Sequence, residues 1–582
     1  MINAELLAAL LSPDGAQRSQ AEAVLNSMEL TVRIDGLMST LMSTSNFAPE
    51  QQFLSAVLLR RDLLKVTDER IMSRVVSPLL QCFTDESRSA SFRLQLGHCI
   101  AGLCASYSLV GSSILPSILP NIEPAVSRFD IPSLRLLANI AECAPVDFKT
   151  HVVAHLPGLV GAVADTAVKQ HPDVMLEVIV NGSIAASAST NVGPMAGFGI
   201  TPNPEEIVID ESGNASKLGP SLLKVLNHVA VSSDENSIQA SLQHLVQAAT
   251  MCPSLLVSNK PVLESVVGTC LHLAGTNSEN YDLRLSALQV LASLVLVGDF
   301  RRRVLVKYPD VASTIIGQVV PLCAHLVVAG VEDDIQEWAE DPPTLIDEDG
   351  SGWDNDQASR HAESLLADFL HSLGSPALAV ALPIVQELIT NQEDWKRPRA
   401  ALAIVEVCLS ATPVGLTQHI PTSLEAALSL ADSTNLRVQW QAIRLLAALC
   451  ENDKVDIRES RGGPVLEKIA RATNSPCPKV SAMALLSLVS YCRGGQSGSI
   501  DIDTSAAVVP YLPDVLGALI QGPLSLTSVE TGTVCIRVRY VSLTVCRRSD
   551  DDRSRYVVHL VLLFLLSPPT TLSTPSMIFA GL

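Results

Sequence analysis

Aromatic side chains supply only 4% of this chain and charged ones only 17%, although 47% of its residues are hydrophobic. Leu, Ala, Val and Ile must therefore fill the interior, as they do between stacked helices, where small aliphatic side chains let neighbours approach closely. Catalytic signatures are missing as well. No GxxxxGK[ST], HExxH or GxSxG occurs, and Gly193, Gly197 and Gly199 have neither the spacing nor the strand-to-helix setting of a dinucleotide loop. The chain therefore does not read as an enzyme, and no cofactor is expected. Positive charge is scarce: 40 Lys and Arg face 60 Asp and Glu, for a net charge of -20. Phosphate backbones are bound by neutralising them, so this balance argues against direct nucleic-acid binding and favours a basic protein partner.

The 13 cysteines include no CxxC pair and lie mostly inside apolar runs, the pattern of small buried hydrophobes in a reducing compartment. The first residues lack a basic stretch followed by an apolar core, so no secretory signal is expected. The strongly apolar run from Val557 to Leu566 contains His559 and is about half the length of a membrane span. Cytoplasm and nucleus are the expected compartments, without membrane insertion. One metal motif comes close. Asp347-Glu348-Asp349-Gly350 fits the start of a calcium loop, but Ala358 stands where the twelfth position needs a bidentate Glu, so no metal is expected. The 12 dispersed histidines, such as His98, His228 and His272, read as surface or internally satisfied groups.

What the chain does have is self-similarity. Between about residues 375 and 492 an apolar helix, a short turn and a second helix recur, the second opening on polar, basic and small residues. These openings are Trp395-Lys396-Arg397-Pro398-Arg399-Ala400-Ala401, Asn435-Leu436-Arg437-Val438-Gln439-Trp440-Gln441-Ala442 and Pro478-Lys479-Val480-Ser481-Ala482. Ala401, Ala442 and Ala482 stand 41 and 40 residues apart, the period of HEAT or armadillo units. In the middle copy Val438, Ala442, Leu445, Leu446 and Leu449 share one helical face, which a single helix cannot bury alone. Weaker copies follow Asp14-Gly15 (Ala21, Leu25, Met28) and Asp282-Leu283-Arg284 (Leu285, Leu288, Ala292, Val295). The expected fold class is an all-α HEAT-repeat superhelical solenoid of about fourteen units.

Two stretches interrupt the repeats. Residues 187–206 are rich in Gly, Pro, Ser and Asn and are expected to form a loop. Residues 332–356 hold eleven acidic residues and no Lys or Arg, with Pro342, Pro343, Gly350 and Gly352 opposing a continuous helix, so a solvated acidic loop is expected. Expected boundaries are 1–186 for N-terminal repeats, 187–206, 207–331 for further repeats, 332–357 for the acidic loop, 358–527 for repeats, and 528–582 for a divergent segment. In that last segment 535–541 fits helix or strand, and its apolar end is a poor cap for a solenoid, which suggests truncation or an altered reading.

Glu142, Glu406 and Glu451 end three second helices despite an unfavourable helix dipole, which suggests either an acidic binding stripe or three solvated acids. Trp395 and Trp440 either line a groove that grips Lys or Arg stems or pack between repeats. The expected cargo contacts are Glu406, Trp440, Gln441, Arg444 and Glu451.

Certain blocks resemble a known family. Leu6-Leu7-Ala8-Ala9-Leu10-Leu11-Ser12-Pro13-Asp14, followed by Arg18-Ser19-Gln20-Ala21-Glu22, is similar to the first repeat of importin-beta-type nuclear transport receptors. Phe53-Leu54-Ser55-Ala56-Val57-Leu58-Leu59-Arg60-Arg61 is similar to their second repeat, where AAVLLRR is typical. The block from 332 to 374 resembles the acidic insertion of the importin-five branch, with Trp338, Asp347 to Asp349 and the Ala/Leu helix from Ala362 to Gly374 in the same order.

The resemblance implies a monomeric karyopherin that carries cargo with a basic nuclear localisation signal past nuclear pore proteins and releases it when Ran, in its GTP form, binds the N-terminal arch at 1–186. By the same resemblance 358–527 is the cargo region. The Ran contacts it implies are Arg60, Arg61, Asp347, Glu348, Asp349, Asp354 and Asp356. Family members continue for many more repeats than this chain, and the segment 528–582 matches none of theirs. The other reading of the repeats is a cytosolic scaffold for a multiprotein enzyme complex.

Overall fold

The computed structural model describes residues 2–43, 46–66, 68–107, 115–126, 130–143, 171–188, 204, 207–209, 215–232, 234–276, 280–331, 333–340, 356–391, 393–451, 457–493, 508–511, 513, 515, 541–547 and 556–562. They fall into two compact units, 1–312 and 313–582.

In the first unit the helices are α1 (Ala4–Leu10), α2 (Gly15–Ser27), α3 (Leu30–Met42), α4 (Pro49–Leu63), α5 (Glu69–Thr84), α6 (Ala90–Tyr107), α7 (Leu115–Val126), α8 (Ile131–Cys143), α9 (Pro172–Ala188), α10 (Gly219–Val229), α11 (Glu235–Met251), α12 (Lys260–Ala274) and α13 (Tyr281–Leu296). Local chemistry sets their starts. Asn3, Asp14, Asp68, Asp234, Asn259 and Asn280 each accept a backbone N–H of the first turn, satisfying donors that an open helix end leaves bare. Each hairpin packs its two helices together, and the second helices α4, α6, α8, α9, α11 and α13 then pack one on the next in a continuous layer.

The basic residue near the start of a second helix has a structural job. Arg284 Nε donates to Ala274 O at 2.9 Å, and Arg93 Nε donates to Phe83 O at 2.6 Å. Each buried guanidinium thus caps the carbonyl end of its partner helix, where the dipole favours a cation. Burial also pulls the Arg284 pKa down from its ordinary value. Arg93 further holds Asp130 at 2.8 and 2.6 Å, and Asp130 accepts from Ser133 N at the start of α8.

The second unit repeats the plan with α14 (Pro309–Ala329, which begins just before the division), α15 (Ile335–Glu340), α16 (Gln357–Leu373), α17 (Ser375–Thr390), α18 (Lys396–Ala411), α19 (Ile420–Leu430), α20 (Leu436–Glu451), α21 (Ile457–Ala472) and α22 (Pro478–Arg493). Here α16, α18, α20 and α22 form the packed layer of second helices. The expected face of α20 is the one that packs: Val438, Ala442, Leu445, Leu446 and Leu449 are all buried. Gly374 turns the chain from α16 into α17 at φ 61, a conformation that glycine adopts without strain. Helix α14 is long and apolar enough to cross a membrane by length and composition, and one face of it, Ile315, Val319, Val320, Cys323, Leu326 and Val327, is buried within the protein.

The fold class is the expected all-α HEAT-repeat solenoid, with one addition. In the divergent segment β1 (Val541–Arg547) and β2 (Tyr556–Leu562) pair antiparallel, in register from Val541 opposite Leu562 to Arg547 opposite Tyr556. The β-branched residues Val541, Thr544, Val545, Val557, Val558 and Val561 favour that extended form.

The acidic stretch also departs from a plain loop. Residues Ile335–Glu340 within it are helical, with Asp334 accepting Glu337 N at 2.8 Å. Residues 341–355 lie outside the described set, and so does most of 187–206, where α9 runs on to Ala188. The nine cysteines whose side chains are described are buried thiols. Burial pushes Cys99, Cys270 and Cys408 up to about 12, so they are inert hydrophobes at neutral pH.

Candidate protein-binding site

The second helices carry the candidate residues of both units. In the first unit, α4 is apolar on two faces. Ser55, Ala56, Leu59, Asp62 and Leu63 are buried, while Phe53, Val57 and Leu64 are exposed at 38%, 41% and 59%. These three share an i, i+4, i+11 stripe with Arg60 at i+7, and Arg61 stands beside it with 45% of its side chain exposed. Apolar contacts rimmed by guanidinium groups are the composition of a protein-docking surface. Sequence reasoning selected the two arginines and missed the apolar members. The signal available was a second apolar stripe on a helix that already had one.

Beneath this stripe Asp62 is fully buried and takes Arg33 Nε at 2.5 Å and Arg33 Nη2 at 3.1 Å. That bidentate pair fixes α4 on α3 and hence the direction of the stripe. Next to it, on α6, half-buried His98 has its pKa pulled below the usual value, first by burial and then by Arg60 and Arg135. This part of the layer therefore carries cationic and neutral groups.

The second unit assembles the cargo candidates. Arg444 Nε meets Glu406 Oε1 at 2.9 Å, and Gln441 Nε2 donates to Glu406 Oε2 at 2.8 Å. The Arg444 guanidinium lies 5.5 Å from the centre of the Trp440 ring. Behind them Arg399 donates to Ser359 Oγ at 2.8 Å and pairs with Glu363 at 3.3 Å. Burial, the largest cause, pushes the Glu406 carboxyl above the usual range. Glu363 pushes it the same way, while Arg444 and Gln441 pull it down.

Four expectations change as a result. Trp440 is only 1% exposed and packs between repeats instead of lining an open groove, whereas Trp395 keeps partial exposure. Gln441 is fully buried and acts through Glu406. Glu406 lies well inside α18 and is matched by Arg444, so it is no solvated acid at a helix end, and Glu451 alone combines the last position of its helix with exposure. The Glu142 side chain lies outside the described residues.

Asp356 was expected on the surface of the acidic loop. It is 2% exposed, precedes α16 and is ion-paired with Arg437, itself buried. Two buried charges 81 residues apart in sequence are tolerated because each satisfies the other. Asp347, Glu348, Asp349 and Asp354 lie outside the described residues. The same Arg437 lies 5.2 Å from the ring centre of Trp338 on α15 and 5.7 Å from that of Trp395. Lys479 Nζ is 4.9 Å from the Trp338 ring, and Trp440 meets that ring edge-on at 6.1 Å.

A stack of helical hairpins with a packed layer of second helices defines a HEAT-type repeat solenoid. Among solved structures the chain is similar to those of Kap121p, a karyopherin. It matches Kap121p alone at TM-score 0.65 and 18% identity, and Kap121p bound to Pho4p at TM-score 0.66 and 18% identity. In both cases 91% of this chain and 47% of that one are covered. Kap121p bound to RanGTP matches at TM-score 0.65 and 18% identity over 91% of this chain and 46% of that one. The chain thus spans about half the length of these karyopherins. No family model matches it.

Proposed function

We propose that this chain is a nuclear import receptor of the karyopherin type, which binds basic protein cargo on its second-helix layer and releases it on binding Ran-GTP. The observation that carries the reading is the match of 91% of the chain to Kap121p, whose solved complexes include those with RanGTP, Pho4p and Nup53p. The net charge of -20 supports a positively charged guest, attracted over distance and held in place by local pairs.

In this reading Phe53, Val57, Arg60, Arg61 and Leu64 form the Ran contact in the N-terminal arch, together with Asp347, Glu348, Asp349 and Asp354 of the acidic stretch. Glu406 and Glu451 meet cargo. Because Arg444 already occupies Glu406, a cargo Lys must exchange with it, which makes the contact selective and salt-sensitive. The test is capture of Ran in its GTP and GDP forms on the full chain. Retention of the GTP form alone is expected, with a loss of about tenfold or more on replacing Arg60 and Arg61 by Glu. Equal capture of the two forms would falsify the receptor reading. Unchanged capture after Asp347, Glu348 and Asp349 are replaced by Ser would remove the acidic stretch from the contact and leave the receptor reading standing.

A further inference from the structure

The segment from Val331 to Glu340 is chemically matched to the surface beneath it. It is acidic, with Asp333, Asp334, Glu337 and Glu340, and its tryptophan is 4% exposed. The surface it meets is cationic and aromatic, drawn from the first turns of three successive second helices. Lys396 of α18 reaches Asp333 at 2.7 Å and donates to Val331 O at 2.7 Å. Arg437 of α20 and Lys479 of α22, both buried, lie within 5.2 Å of the Trp338 ring centre. Just before α22, Cys477 Sγ approaches Ala339 O at 3.9 Å. The segment thus spans three repeats lying 58 to 141 residues further along the chain, measured from Trp338 to Lys396 and to Lys479.

The seat is incomplete in one respect. The indole N–H groups of Trp338 and Trp440 are buried without an acceptor. A buried donor left unmatched subtracts from what the ring gains by burial and by its cations, so Trp338 is held less firmly than its area implies. A helix held by complementary charge and one aromatic anchor, short of full satisfaction, has the chemistry of a bound peptide more than that of a core element.

We propose that Lys396, Arg437 and Lys479, with Trp395 and Trp440, form a docking groove for a short acidic helix bearing one tryptophan. In the resting chain residues 331–340 occupy this groove, and a partner segment of the same chemistry displaces them. Along α20 Trp440 stands one turn before Arg444, which pairs with Glu406 of α18, so occupancy of the groove also fixes how α18, α20 and α22 stack at the cargo candidates. The assignment stands whether or not the chain binds Ran.

The test is hydrogen exchange on the full chain. In Trp338→Ala, amides at the starts of α20 (436–441) and α22 (478–483) should exchange about tenfold faster or more, with the first unit unchanged. A peptide of sequence 331–340, added in trans at about millimolar concentration to replace the lost tether, should restore the protection, and the same peptide with Ala for Trp should not. Asp333→Lys, at a side chain 89% exposed and so harmless to folding, should give a smaller rise at the same amides by repelling Lys396. Unchanged exchange in both variants overturns the docking role. Failure of the peptide to restore protection, or equal restoration by the peptide lacking tryptophan, overturns the groove as a recognition site.

Discussion

The second-helix layers of the two units solve the same problem differently. Each must bury a cation near the start of its helices. In residues 1–312 these cations are satisfied by a carbonyl of their own hairpin partner, Arg284 by Ala274 O and Arg93 by Phe83 O, with Asp130 as a further partner of Arg93. In residues 313–582 Arg399 pairs with Ser359 and Glu363 over about the same sequence distance as Arg93 with Asp130, and Arg437 reaches further, to Asp356 81 residues back and to Trp338. Local satisfaction leaves the first layer free to expose an apolar and basic stripe on α4. Distant satisfaction of Arg437 ties the second layer to Asp356 and Trp338 of the acidic stretch. The difference teaches that one repeat plan carries two kinds of surface, according to where its buried cations find their acids.

The largest effect should come from cutting the buried pairs. Asp62→Ala strands Arg33 with the carbonyls of Leu25 and Met28 at 3.3 and 3.5 Å, and should cost the first unit about 3–5 kcal/mol. Asp356→Ala should cost the second unit less, because Arg437 still lies against the Trp338 and Trp395 rings. Hydrogen exchange resolves the two losses within one chain. A larger loss from Asp356→Ala would reverse the ranking.

A smaller effect concerns Glu406. Its carboxyl holds a proton at higher pH in the fold than in the unfolded chain, so the native state binds more protons in that window. Its contribution therefore favours the fold below the ordinary carboxyl pKa and is lost as pH rises through the raised value. Glu406→Gln should flatten that acid-side dependence of thermal stability. Arg444→Ala should free Glu406 and strengthen binding of a Lys-rich peptide about threefold to tenfold at low salt, read by fluorescence anisotropy. Weaker binding would mean that Arg444 positions Glu406 for cargo rather than competing for it. The smallest effect belongs to the first layer. Arg60→Ala removes a repelling charge and should raise the His98 pKa toward its ordinary value, measured by histidine hydrogen–deuterium exchange.

The repeats were legible because their signal is local: the spacing of Ala401, Ala442 and Ala482 and the face from Val438 to Leu449 follow from helical periodicity alone. Burial of the cysteines was legible for the same reason. The fate of Asp356 and Trp440 was not. An acid in an acidic run and a tryptophan beside polar residues look exposed until their partners, Arg437 and Trp338, are brought in by the stacking of distant repeats. Glu406 was read as a helix-end acid of a binding stripe, and its pairing with Arg444 was not legible because it depends on the offset between α18 and α20, which no single helix encodes. The strand pair of Val541–Arg547 and Tyr556–Leu562 was not expected: the stretch left open between helix and strand, 535–541, touches it only at Val541, and a short β-branched run declares itself only once a partner strand is at hand.

The central claim is that this array holds a basic guest and yields it to a nucleotide-loaded GTPase. The most direct measurement follows a fluorescent Lys-rich localisation peptide bound to the full chain as Ran is added. The account predicts release by the GTP form at stoichiometric amounts and retention in the presence of the GDP form. Release by both forms alike, or by neither, would contradict it.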